Sequence, residues 1–229
     1  VSFDTFYSSF TISHWREKTN IKNLFFKVKA SGTFGISIFM NKIGNYQKVL
    51  CYQKVNSKSV EETKIEIEEW ENLDSGMLFV LIEAYEDTKI WGGYFGTSDE
   101  PKNEVSLGVV ITHFNRKQYV IPAIKRLKEE LIEDNLYKNN IELIVVDNSQ
   151  NLPDLQSQGI TIIPNDNLGG SGGFARGLIH LSENSKFTHC LFMDDDATCE
   201  IESIKRTFSF MKYNKLKKLA ISGSLLREV

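Results

Sequence analysis

The sequence predicts an α/β protein in two parts: an N-terminal antiparallel β-sandwich over residues 1–101 and a Rossmann-like parallel sheet with helices over 102–229. Three observations carry this reading. Apolar and polar residues alternate in short runs before residue 100, whereas apolar strands alternate with helix-period segments after 104. A polar tract at 97–103, which holds Pro101, separates the two patterns. Polar and acidic residues then cluster directly behind the apolar strands of the second half, where open α/β sheets place their ligands.

In the first part, residues 63–69 alternate strictly, as a half-buried strand does. Residues 22–29, 33–40, 46–55 and 77–85 are further strand-forming runs. Turn residues at Ser31-Gly32, 41–45, Asn56-Ser57 and 74–76 divide them. No helical repeat interrupts the series, so a two-sheet sandwich is expected. In the second part, 105–112, 141–146, 160–163, 189–193 and 219–226 read as five strands, each buried on both faces. Residues 118–133 and 173–181 have helical spacing, as do Ile201, Ile204, Phe208 and Met211.

Composition bounds the function. With 41% hydrophobic and 25% charged residues the chain is globular, and a formal charge of −3 argues against a nucleic-acid binder. Cys51, Cys190 and Cys199 show no CxxC spacing, which argues against a disulfide framework or a zinc cage and for a cytoplasmic protein. No apolar run is long enough to span a membrane, and residues 1–10 do not resemble a signal peptide. The chain starts at Val1 without an initiator Met and is read as trimmed.

The residues behind the strands carry the chemistry. Asp194, Asp195 and Asp196 follow the fourth strand; in an extended segment Asp194 and Asp196 share one side and Asp195 takes the other. Two carboxylates on one side suit a hard divalent ion, Mn²⁺ or Mg²⁺, that shares its shell with phosphates. The alternative is a solvated acidic turn ahead of the next helix. Residues 170–175 formally match G-x-G-x-x-A, but the tract follows the third strand rather than the first, which disfavours a dinucleotide site. Close backbone approach to a phosphate or sugar at a helix N-terminus is the surviving reading, beside plain helix–sheet packing. Arg116 suits a phosphate or a base carbonyl, or is a surface arginine. Asp147 suits a uracil edge or a ribose, or makes an Asx turn with Ser149. His113, His180 and His189 lack metal-ligand spacing and read as tucked-in or surface residues. The basic stretch 205–218 reads as a solvated helix face, or as a surface for a lipid phosphate or an anionic membrane.

Taken in order, V-V-I-T-x-F-N-R at 109–116, V-V-D-N at 145–148, N-x-N-x-G-G-x-G-G-F-x-R-G at 165–177 and M-D-D-D at 193–196 resemble the family 2 glycosyltransferases of the GT-A fold. The resemblance runs from 105 to about 226 and is nearest to the galactofuranosyltransferase-like branch. That branch's β-sandwich domain is also resembled, around Phe10, Trp15 and Arg16. It implies an inverting hexosyltransferase that uses a UDP-sugar, with UDP-galactofuranose as the branch's donor, and a glycan or lipid-linked glycan acceptor. Thr112, Asn115 and Arg116 would line the UDP pocket and Asp147 would hold the uracil. Asn167, Gly169 and Gly170 would approach the donor. Asp194 and Asp196 would hold the divalent ion, with Asp195 beside the sugar. The family's catalytic base and metal-binding histidine fall beyond Val229, so the chain is expected to be the donor half of a longer enzyme. Two rival readings remain: a carbohydrate-binding or assembly module with a nucleotide-binding α/β half, and a sugar nucleotidyltransferase. The latter expects a glycine-rich loop at the first strand, and 112–116 contains no glycine.

Overall fold

The computed structural model describes residues 2–3, 10–44, 46–216 and 218–223. They form two compact units: one of the described residues up to Lys102 together with those from Tyr213 onward, the other Asn103–Lys212.

The first unit contains β1 (Ser2–Phe3), β2 (Phe10–Thr11), α1 (Ile12–Lys18), β3 (Phe25–Lys42), β4 (Tyr46–Glu66), a 3₁₀ turn (Glu68–Asn72), β5 (Met77–Ala84) and β6 (Lys89–Gly96). All pairings are antiparallel, and they make one six-stranded sheet in the order β1-β5-β3-β4, with β2 on β5 and β6 on β3. The predicted sandwich is therefore corrected to a single half-barrel sheet. The physical cause is that β3 and β4 are each one long strand where turn residues suggest two. One side of β3 pairs along β4; on the other side β6 takes its first half and β5 its second. Ser31-Gly32 and Asn56-Ser57 do not reverse the chain. Gly32 pairs with Ser57 at a register shift in the ladder. Gly32 holds φ +114°, and a Cβ there would meet the Asp87 carbonyl at 2.4 Å. The signal for an irregular backbone is real, but the sheet absorbs it as a bulge. The helix α1 is also absent from the sequence expectation. Seven residues are too few to display a period, and Ile12 alone is fully buried from it.

The second unit contains β7 (Leu107–His113), α2 (Lys117–Leu127) extended by one wider turn (Lys128–Ile132), β8 (Ile141–Asp147), β9 (Ile160–Pro164), α3 (Gly169–Glu183), β10 (His189–Asp194) and α4 (Ile201–Tyr213). The strands are parallel in the order β10-β7-β8-β9, a Rossmann-like arrangement. Alternation divides β7 between two cores. Val109 and Ile111 pack with residues of α2 and α4, and Val110 packs with Leu181 of α3. The helices thus cover both faces of the sheet.

Two further expectations are corrected. The inner strands β7 and β8 are buried on both faces, but β10 is only partly covered, with Phe192 47% exposed, because it has a strand on one side only. No strand forms at 219–223, where Ile221 is 42% exposed; residues 224–226 lie outside the described residues. An apolar run becomes a strand only when a sheet edge receives it, and these residues group with the first unit. Among the described residues no helix is long and apolar enough to cross a membrane.

Candidate nucleotide-sugar site

The candidate site lies at one edge of the parallel sheet. His113 pairs with Asp147 and Thr112 with Asp194, so β7, β8 and β10 end level with one another. The loops behind them, and the start of α3 behind β9, share the carboxyl edge.

Hydrogen bonds stitch the first two loops together. The Asn148 N–H donates to the His113 carbonyl at 2.9 Å, and the Asn115 N–H to Ser149 Oγ at 2.8 Å. The Asn151 amide donates to Asn115 Oδ1 at 2.9 Å. Asn115 sits at φ +54°, a conformation asparagine tolerates through local bonds of this kind.

Asp147 is 3% exposed. Its Oδ2 accepts the N–H groups of Asn151 and Leu152, both at 2.9 Å, and its Oδ1 accepts that of Ser149 at 3.0 Å. The Asx turn with Ser149 is therefore made. Burial pushes the Asp147 carboxyl up, but the N–H donors of Leu152, Ser149 and Asn151 outweigh it and hold the group below its ordinary value. A carboxyl depressed in the fold stabilises it above the unfolded value of about 3.9, and loses that contribution as pH falls through the folded value. Asp147→Ala, which uncovers three N–H donors, should cost on the order of 3 kcal/mol at neutral pH by urea unfolding. The gap to wild type should narrow once pH drops below about 4. A gap that stays constant down to about pH 3 would refute this role for the charge.

The glycine tract starts its helix earlier than its apolar residues suggest, at Gly169 rather than 173. Gly169 takes φ +73°, and its N–H donates to Asn167 Oδ1 at 3.1 Å. Gly169 and Gly170 have no heavy atom within 4 Å of where a Cβ would stand, so the start of the turn is open, whereas at Gly172 a Cβ would stand 2.4 Å from Leu168 Cβ. Leu168 at the cap supplies no side-chain hydrogen bond, leaving first-turn N–H groups for another acceptor. Gly173 has the opposite surroundings: a Cβ would stand 2.3 Å from Thr112 Cγ2 and 3.1 Å from Asn148 Nδ2. This glycine lets α3 press onto the end of β7. The Thr112 hydroxyl is buried there without a partner.

The acidic turn shows the predicted alternation. Asp194 and Asp196 are exposed, while Asp195 is 7% exposed. Arg116 Nη1 pairs with Asp196 and lies 3.5 Å from Asp195 Oδ1. His113, fully buried, places Nδ1 3.2 Å from Asp195 Oδ2. Among the described residues no three His, Cys, Asp or Glu side chains gather as a metal cage. Two exposed carboxylates supply hard oxygen donors and leave most of a shell free. That fits an ion shared with a diphosphate and does not fit an all-protein site. His113 is the site residue that sequence reasoning passes over. Only the adjacency of β7 and β10 reveals its partner.

Lys205 turns to Asp134 at 2.9 Å and lies over the Tyr137 ring, so it is not part of a free basic surface. The three cysteines are unpaired, and burial pushes the Cys51 and Cys190 thiols up to about 11.

Comparison with known proteins agrees with this layout. Residues 108–217 match the family model "Glycosyl transferase family 2", and residues 1–97 match "Galactofuranosyltransferase 2 N-terminal". Galactofuranosyltransferase GlfT2 of Mycobacterium tuberculosis (strain ATCC 25618 / H37Rv) is 26% identical over 99% of this chain and 37% of its own length. GlfT2 of Mycolicibacterium smegmatis (strain ATCC 700084 / mc(2)155) is 23% identical over 99% of this chain and 36% of its own. The chain thus spans little more than a third of the length of these relatives. It carries a family 2 glycosyltransferase domain after a galactofuranosyltransferase 2 N-terminal domain, and is related to the galactofuranosyltransferase GlfT2.

Proposed function

We propose that the parallel-sheet unit binds the UDP part of a nucleotide sugar and presents the sugar for inverting hexosyl transfer to a glycan or lipid-linked glycan. The observation that carries this reading is the convergence, at one sheet edge, of the 112–116 loop, the Asp147 loop, the open N-terminus of α3 and the aspartate turn. Thr112, Asn115 and Asp147 form the proposed seat of the uridine, with Asp147 Oδ1 as acceptor for the uracil N3–H. Arg116 and the first-turn N–H group at Gly170, with Gly169 and Asn167 beside it, would face the diphosphate. Asp194 and Asp196 would hold Mn²⁺ or Mg²⁺, which neutralises charge on the departing diphosphate. The name of the relatives makes UDP-galactofuranose the donor to try first. A cytoplasmic setting at the inner face of a membrane goes with a lipid-linked acceptor. The catalytic base is unassigned.

Calorimetry with UDP and CDP, each with Mn²⁺ and with chelator, tests the reading. UDP should bind, and more tightly with Mn²⁺. CDP, which lacks the N3–H donor, should be weaker by about 1–3 kcal/mol. Absence of UDP binding in both conditions sinks the proposal, and equal affinity for CDP removes Asp147 from the base seat.

A further inference from the structure

We infer that His113 is a positioning residue for the aspartate turn: it draws Asp195 inward and thereby presents Asp194 and Asp196 together on the outer side. The inference rests on the nucleotide-sugar reading for its consequence, but its cause lies in the ligand-free fold. The β7–β10 ladder ends at the pair Thr112–Asp194. His113 is the last residue of β7 and Asp195 the first residue of the turn after β10, and their side chains meet at 3.2 Å. Asp195 is thereby buried beside His113, while Asp194 and Asp196 stay exposed.

Three observations make this an arrangement with a purpose rather than a packing accident. Asp195 is buried, and a buried carboxylate is costly unless a donor receives it. Of its two donors, His113 is wholly enclosed and fixed at a strand end. Arg116 is half-exposed and pairs closely with Asp196, and its 3.5 Å approach to Asp195 Oδ1 is the weaker contact, so it does not anchor Asp195. The third observation is the other ring nitrogen. His113 Nε2 is buried and has no hydrogen-bond partner. An aliphatic side chain would avoid that orphan at no loss to the core. A histidine therefore stands at a buried strand end where an apolar side chain would leave no orphan, and the group it serves is Asp195.

The test uses His113→Asn, whose amide nitrogen falls where Nδ1 stands, with His113→Gln and His113→Leu. Gln carries its amide nearer the Nε2 position, and Leu has no donor. Amide hydrogen exchange at residues 194–197 is measured first, on the ligand-free chain under conditions where urea titration shows all variants folded. Leu and Gln should speed exchange there about tenfold, the loss of one charge-assisted hydrogen bond, while Asn stays near wild type. Unchanged exchange in the Leu variant, or a speed-up of equal size in the Asn variant, overturns the inference whether or not any nucleotide binds. UDP calorimetry follows. Leu and Gln should lose the part of the affinity that depends on Mn²⁺ and keep the part measured in chelator. If wild type itself shows no Mn²⁺-dependent part, the ion seat at Asp194 and Asp196 fails, and the exchange result still decides the role of His113. If wild type shows it and the Leu variant matches, the positioning role is overturned.

Discussion

Alanine at both Asp194 and Asp196 should erase the gain in UDP affinity that Mn²⁺ brings, a gain expected to be about 100-fold, or roughly 2.7 kcal/mol. The argument is electrostatic. A diphosphate brought to a turn of three carboxylates meets like charge, and Arg116 offsets only part of it, because its guanidinium is already committed to Asp195 and Asp196. A divalent ion held by the two exposed carboxylates converts repulsion into attraction. Without those carboxylates the ion has no seat, and the repulsion is reduced as well. The double variant should therefore bind UDP weakly and with the same affinity in Mn²⁺ and in chelator. Its urea midpoint should stay close to wild type, since both residues are exposed and neither belongs to a core. A double variant that keeps the full Mn²⁺-dependent gain would place the ion elsewhere.

Trp70→Ala should cost the first unit about 3–5 kcal/mol, read as a fall in its urea midpoint. Trp70 is 1% exposed in the 3₁₀ turn behind β4, and its Nε1 donates to the Ile21 carbonyl at 3.2 Å. Phe10 meets the ring edge-on at 5.9 Å, and the Arg16 guanidinium lies 5.5 Å from its centroid. Arg16 also donates to the carbonyls of Leu73, at 3.2 Å, and Glu71, at 2.7 Å, which fixes the turn that carries Trp70. Alanine leaves a cavity at the point where α1, the turn and the sheet meet, and uncovers the Ile21 carbonyl. Trp70→Phe should cost less, because it restores most of the apolar contact and lacks only the N–H. A cost below about 1 kcal/mol for the alanine would show that the half-barrel does not depend on this plug.

The residues of the first unit illustrate what local pattern conveys. Phe10, Trp15 and Arg16 were singled out only by the family resemblance, and the structure stacks Phe10 on Trp15 at 5.1 Å beside the Arg16 clamp. Trp70 was not legible, because it sits among acids in Glu-Glu-Trp-Glu-Asn, where solvent exposure is the natural reading. Its burial is decided by Ile21 and Arg16, some fifty residues earlier in the chain. The division of 25–66 into four strands failed for a related reason. Turn residues report that the backbone departs from regular strand, but a bulge and a reversal make the same local demand, and only the pairing of Gly32 with Ser57 tells them apart.

For the candidate site, the sequence by itself determined the α/β class of the second unit, the position of each polar loop behind its strand, and the split of Asp194 and Asp196 from Asp195. These follow from periods of two and of about 3.6, which are properties of neighbouring residues and need no knowledge of the fold. Tertiary structure alone decided that β10 lies against β7 and not against β9, its predecessor in the chain. That adjacency gives Asp195 to His113 and Arg116. The Asp147 carboxylate depends on the path of the following loop, whose backbone N–H groups fold back upon it. Strand order is set by which apolar faces α2, α3 and α4 can cover together, a sum over distant side chains that no local window contains.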